Sequence, residues 1–570
     1  MAWTRAVAYA VLSSHFWLPT EADYIWPNAQ IDELERELYE QENPFDGPGS
    51  TVSFVDGCSG PAERALGIGR SFGAEWIRNA YHDMATADVS AGTGGLDASI
   101  VFEMDRSENV GDAFQETLGI FQGSHNTRVS MADLFAIATV MAVGACSDGK
   151  VIVPFRGGRV DAVGPGPSGV PEPQQDLPTH TLSFAKQGFD TSEMIALVAC
   201  GHSVGGVHDV DFPEIVPNPV PTTDVRNPTR PTDGKAKEFV ANVSQNPLAF
   251  GQIETTRSDF RIFNADGGDM ISQMASSNDF FPNTCSTMFE RMINTVPRDV
   301  KLTDVIKPLG IKPRKLSVTV NDDETLSITG FIRVSAALPP VVVVADLERL
   351  TTSLNLLKVV DDLISANGTQ VIIHFVSRSG EALPVAIGTT SQGLTARCGY
   401  PNCSPSYTYY RFNSTIPAKQ GISSFTVEII DGSAGKATIH NNGRGGFPVS
   451  DAILPMFSLS SQSRITINGG AQLQLNLTAA VLNAEMYTNI SLIVPQPSNK
   501  TAPIRPWTQE IVHMEPLSKI SGTNFTLYRG IWQSSGLLTA TSSHPFDLVA
   551  QGATKTVSSL FNSWDDLEFI

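Results

Sequence analysis

Positive charge, cysteine and long apolar runs are all scarce in this sequence. Lys and Arg number 39 against 59 Asp and Glu, a formal net charge of -20 over 570 residues. Binding a phosphate backbone takes clustered cations, so the chain as a whole is not a nucleic-acid binder. No apolar run reaches the roughly 18 residues that a membrane span needs. Six cysteines in so long a chain exclude a small scaffold held together mainly by disulfides. What is present is 41% hydrophobic residues with only 17% charged, which excludes global disorder and predicts buried cores. The length predicts two or three domains.

The first 22 residues read as a secretory signal. Arg5 supplies a positive start, Ala6 to Leu12 and Phe16 to Leu18 are apolar, and cleavage is expected near Ala22. Eight Asn-x-Ser/Thr sites (Asn242, Asn367, Asn402, Asn413, Asn476, Asn489, Asn499 and Asn524) predict an extracellular glycoprotein, seven of them beyond residue 360.

The hydrophobic period changes near residue 310. Before it, helical spacing dominates. Ile31, Leu34 and Leu38 share a face, with Asn28 as the expected N-cap, and Ser130-Met-Ala-Asp133 opens a strongly apolar helix. Glu193 to Val198 forms another apolar helix. After residue 310, alternating runs such as Lys315–Val320, Leu326–Val334, Gln370–Val376 and Ser424–Ile430 predict antiparallel strands in a sandwich. The expected organisation is multidomain: residues 1–22 a signal peptide, 23–309 a mainly α domain, and 310–570 an all-β, sandwich-like C-terminal domain. The histidines of the β half (His374, His440, His513 and His544) are scattered and form no constellation.

Chemistry concentrates in two helical segments. In Arg78-Asn-Ala-Tyr81-His82-Asp83, Arg78 and His82 stand at i and i+4, so a fixed cation and an imidazole project from one face. Such a pair can move a proton and stabilise a developing anion together. In Ala199-Cys-Gly201-His202-Ser203, a second histidine ends an apolar helix. Each segment alone is weak, because most such histidines are solvated or structural.

Together with the ordered segments between and after them, they resemble the plant-type haem peroxidase superfamily, most closely its secreted fungal (class II) members, over residues 24–308. The carrying motifs are Arg78-x-x-Tyr81-His82-Asp83, Gly95-Leu-Asp97-Ala-Ser99, Asn109, Ser130 to Asp133, Gly158-Arg-Val-Asp161, Pro171-Glu-Pro173, Gly201-His202-Ser203 with Asp209-Val-Asp211, and Arg257-Ser-Asp259. The resemblance implies haem b ligated by His202, with Asp259 as partner of that histidine and Tyr81 beside the haem. Arg78, His82 and Asn109 would be catalytic. It implies a distal calcium held by Asp83, Gly95, Asp97 and Ser99. A second, proximal calcium set is incomplete: Ser203 and Asp233 align, but Lys235 and Val240 stand where the family carries Thr and Asp. It also implies a Cys58–Cys146 disulfide, whereas Cys200 and Cys285 have no counterparts and are left either paired or free.

The implied activity is reduction of hydrogen peroxide to water with single-electron oxidation of small phenolic or aromatic donors. Of three family manganese positions, Ser71, Glu75 and His208, only one is acidic, and the surface tryptophan of lignin-type enzymes falls at Leu197. The other partners expected are a cell-wall or polysaccharide contact through residues 310–570, no nucleic acid and no membrane span, for a secreted monomer. The competing expectation is a non-catalytic, glycosylated surface or wall-binding protein that keeps the helical half only as a scaffold.

Overall fold

The computed structural model describes residues 24–41, 55, 63–64, 67–68, 71–207, 211–217, 234–243, 246–277, 279–335, 369–390, 395–396, 407–431, 436–467, 470–497, 503–504, 506–534, 545–563 and 568–569. The expected signal segment, Cys58, His208, Asp233, Cys398 and Cys403 lie outside them, as do Asn367, Asn402 and Asn499.

Helices carry the first half: α1 (Asp32–Tyr39), α2 (Phe72–Met84), α3 (Ala113–Phe121), α4 (Met131–Cys146), α5 (Leu177–Lys186), α6 (Thr191–Gly201), α7 (Gly234–Val240), α8 (Pro247–Phe250), α9 (Ser258–Phe263), α10 (Asp269–Ser276) and α11 (Phe280–Asn294). Every residue of α4 except Ala145 is buried, as its apolar circumference requires of a central helix. Its expected start is real: the Ser130 hydroxyl accepts from the Asp133 backbone N–H at 3.0 Å. Asp190 and Glu193 form a full capping box at the start of α6. Asn28 departs from expectation. Its side chain accepts from Gln30 and Ile31, closing the turn before α1, and the helix itself begins at Asp32.

The β half forms two sandwiches, each with its own core. In the first, a sheet ordered Ile311–Val320, Thr325–Ser335, Tyr407–Pro417 and Thr395–Ala396 faces one ordered Lys436–His440, Ser424–Asp431, Thr369–Val376 and Ala386–Gly388. Ile328 and Ile332 of one sheet share a buried core with Ile373 and Val427 of the other, and alternate residues along Thr325–Ser335 are buried. In the second, Gly470–Leu482 and Phe525–Gln533 pack their inner residues on Asn489–Pro497 and Pro545–Gln551 through Leu475, Leu477, Leu492 and Leu548.

The halves are joined by buried charge. Arg333, on a strand of the first sandwich, donates from Nη1 to Glu40 (2.7 Å) and from Nη2 to Glu35 (2.5 Å) and to the Leu309 carbonyl (2.7 Å). Lys312 reaches Glu35 at 2.7 Å, Arg314 pairs with Glu40 at 2.9 Å, and the Tyr409 hydroxyl donates to Glu40 at 2.8 Å. Burial would raise the Glu40 carboxyl, but Arg314, Arg333 and Lys312 outweigh it and bring the pKa down to about 2. Ahead of α1, Trp26 packs on Phe447 and its carbonyl accepts from Asn442.

Candidate active site

The distal wall is the half-buried stripe of α2. Ala74, Arg78, Tyr81 and His82 face a slot, while Phe72, Trp76, Asn79 and Ala80 turn into the core. His82 Nδ1 lies 2.8 Å from the Asn109 side-chain carbonyl, and the Asn109 amide nitrogen donates to the Glu103 carbonyl at 2.9 Å. That second bond fixes the amide, so His82 must carry its hydrogen on Nδ1 and present Nε2 as a lone pair. Burial first, then the Arg78 cation, lower the His82 pKa to about 3, against the Asn109 bond that raises it. Arg78 is held over the Phe114 ring at 4.6 Å and near Phe212 at 5.4 Å. Tyr81 stacks on Phe184 at 6.0 Å, and burial raises its hydroxyl pKa.

The proximal wall is the end of α6. His202 caps that helix, its N–H bonded to the Val198 carbonyl. Its Nδ1 donates to Asp259 at 2.9 and 3.1 Å, and Asn246 Nδ2 donates to the same carboxylate at 2.6 Å. Burial opposes protonation of His202, but Asp259 outweighs it and the pKa is raised. The side chain is 45% exposed, which leaves the face carrying Nε2 open to a ligand.

Both walls line one cavity of about 760 Å³, whose remaining lining includes Phe184, Leu197, Ile262, Phe289 and Met292. An apolar slot of that size with a few convergent polar groups suits a flat prosthetic group. Arg78 and His82 line the cavity together with His202, with Asn109 bonded to His82 and Asp259 to His202. Leu197 is buried, so the tryptophan position of lignin-type enzymes is not at the surface here.

Asp83 points away from the slot into the turn that follows α2. Its carboxylate accepts from the backbone N–H groups of Asp97 (2.9 Å), Ala98 (2.7 Å) and Ile100 (2.8 Å), and Asp97 accepts from that of Ser99 (3.1 Å). Burial first, then the neighbouring Asp97, raises the Asp83 pKa. Gly95 sits at φ +109, where an added Cβ would lie 2.6 Å from the Thr295 carbonyl oxygen, so only glycine fits. Among the described residues no group of three or more His, Cys, Asp or Glu side chains forms a metal set. Ser203 turns its hydroxyl onto the Cys200 carbonyl at 2.7 Å.

Cys200 and Cys285 are bonded to each other, which closes the alternative left open by the sequence. Cys146 is also disulfide-bonded. Sequence reasoning missed Asn246 and Glu103. The Asn246-Pro247 pair signals a helix start, and Asn246 does cap α8 by accepting from Leu248, but nothing local links it to Asp259.

The helical domain thus holds a slot between one carboxylate-backed histidine and one amide-oriented histidine. Residues 61–290 match the peroxidase family model, and this part of the chain is a peroxidase domain of the plant peroxidase superfamily. The chain is 34% identical over 424 residues to a WSC domain-containing protein of Arthroderma benhamiae, covering 73% of this chain and 54% of that one. It is 31% identical over 141 residues to putative L-ascorbate peroxidase 6 of Arabidopsis thaliana (23% of this chain, 40% of that one). A third relative is the mitochondrial cytochrome c peroxidase of Emericella nidulans, 29% identical over 144 residues (24% and 39%). The chain spans about half or less of the length of these curated relatives.

Proposed function

We propose that the protein is a haem peroxidase that reduces hydrogen peroxide to water and oxidises small phenolic or aromatic donors by single electrons. The observation that carries this reading is the matched orientation of two imidazoles: Nδ1 of His82 is engaged by Asn109 and Nδ1 of His202 by Asp259. Each ring therefore presents Nε2 to the slot. The relatives named as peroxidases support the same chemistry.

The residues fit haem b, which when bound supplies the redox-active iron. His202 would hold the metal through Nε2, and Asp259, steadied by Asn246, makes that nitrogen a stronger donor. His82, kept neutral, takes a proton from hydrogen peroxide at Nε2 and returns it to the oxygen that departs as water. Arg78 stabilises negative charge on that departing oxygen. Asn109 holds His82 in the one tautomer that can do this.

Calcium at the turn of Asp83, Gly95, Asp97 and Ser99 belongs to the proposal. The two carboxylates and the Ser99 hydroxyl are hard oxygen donors, and a cation there would offset the burial that raises Asp83 and Asp97. Secretion, glycosylation, a monomeric state and a wall or polysaccharide contact through the β half also belong to it. Of the five described glycosylation sites, Asn242, Asn413 and Asn524 are exposed. A non-catalytic wall protein is the second reading, favoured by the relative named for a WSC domain. The visible spectrum of the secreted protein separates the two. A Soret band that changes on adding peroxide, and a His82→Ala variant that binds haem but reacts several orders of magnitude more slowly, would support the peroxidase. Protein secreted with ample haem yet carrying none would refute it.

A further inference from the structure

The peroxidase resemblance has no place for Cys200 and Cys285, yet they form a bridge 85 residues apart in sequence, with both side chains fully buried. Cys200 stands two residues before His202, and its carbonyl accepts the Ser203 hydroxyl at 2.7 Å, so it anchors the turn on which the imidazole is mounted. Cys285 lies on α11, whose next two turns on the same face, Phe289 and Met292, line the slot. The other end of this helix pair is tied separately. Arg291 pairs with Glu193, donates to the Gly188 carbonyl at 2.8 Å and covers the Phe189 ring at 4.9 Å. Helices α6 and α11 are thus fastened at both ends, covalently at the end that presents His202.

We propose that the Cys200–Cys285 bridge is a positioning device for His202, locking the end of α6 against the slot-lining face of α11. The inference rests on His202 serving as the ligand-presenting residue. Packing alone leaves a helix end free to fray, and the last turn of a helix opens more readily than its middle. A bridge at that turn removes the motion where a rigid imidazole matters most.

The test pairs Cys200→Ala/Cys285→Ala, and the refilled Cys200→Val/Cys285→Ala, with Cys58→Ala/Cys146→Ala as a control for general loss of cross-linking. Two readouts are taken: hydrogen exchange of the amides from Val198 to Val204 in protein without haem, and haem transfer to excess apomyoglobin. Removing the Cys200–Cys285 bridge is expected to speed both by tenfold or more while α4 amides stay protected. The control is expected to change the α6 amides and haem transfer by less than twofold. Equal effects of the two pairs, or unchanged exchange at Val198–Val204, would overturn the proposal. If the parent protein takes up no haem, that failure falls on the peroxidase reading, and the exchange result still decides the role of the bridge.

Discussion

Arg333 and Glu35 are separated by 298 positions, yet both are wholly buried and joined at 2.5 and 3.1 Å. One belongs to a sandwich strand and the other to α1, ahead of the residues matched to the peroxidase family, so neither half completes its own charge balance. Removing one member of a buried ion pair strands the other without solvent or partner. Arg333→Met is therefore expected to cost about 3–5 kcal/mol of unfolding free energy. Denaturant titration measures it; a loss under 1 kcal/mol would mean that Lys312 and Arg314 suffice for the two carboxylates. A chain ending at residue 309 should be less stable still.

The rate of the protein with hydrogen peroxide is expected to be flat with pH from neutrality down to about 4, then to fall with a midpoint near 3. His82 acts as a base only when neutral, and its pKa of about 3 keeps it so above that pH. Burial is the main cause of the depression and Arg78 the next, so Arg78→Leu should move the acid limb upward while slowing the reaction. Stopped-flow rates across pH 3 to 8 check both effects. A limb that stays put in the variant would remove Arg78 from the electrostatics of the site.

His202→Ala should abolish normal haem ligation, whereas Asp259→Asn should retain haem with a less electron-rich ligand. The Asp259 carboxylate is fully buried and takes hydrogen bonds from His202 and Asn246. Its replacement is expected to raise the reduction potential, measured by spectroelectrochemistry. An unchanged potential would confine Asp259 to packing.

Gly95→Ala is expected to destabilise the protein by more than about 1 kcal/mol, because the site needs a positive φ and leaves no room beside Thr295. Thermal unfolding with and without added calcium checks this. The same comparison on the parent protein should show a higher melting temperature with calcium if the Asp83–Ser99 turn binds it.

The site was legible in the sequence to the extent that its chemistry rides on local periods. The four-residue step from Arg78 to His82, the Ser130 cap and the strand alternation after residue 310 each rest on geometry a few residues long. What escaped depends on chain crossings. Asn246 meets Asp259 only because α8 and α9 fold together, and the Cys200–Cys285 pairing requires α11 to return to α6. Glu35 and Glu40 sit in an acidic stretch, and Arg333 in an alternating run, with nothing local to pair them. Their burial appears only when the two regions are docked.

Among the described residues the slot is lined by residues between 71 and 292, and the ion cluster around Arg333 ties the first sandwich to α1. Such a tie would hold the mouth of the slot at one bearing toward that sandwich. On the proposed reading, any radical leaving that mouth would meet the same neighbourhood turnover after turnover instead of scattering with a swinging tether.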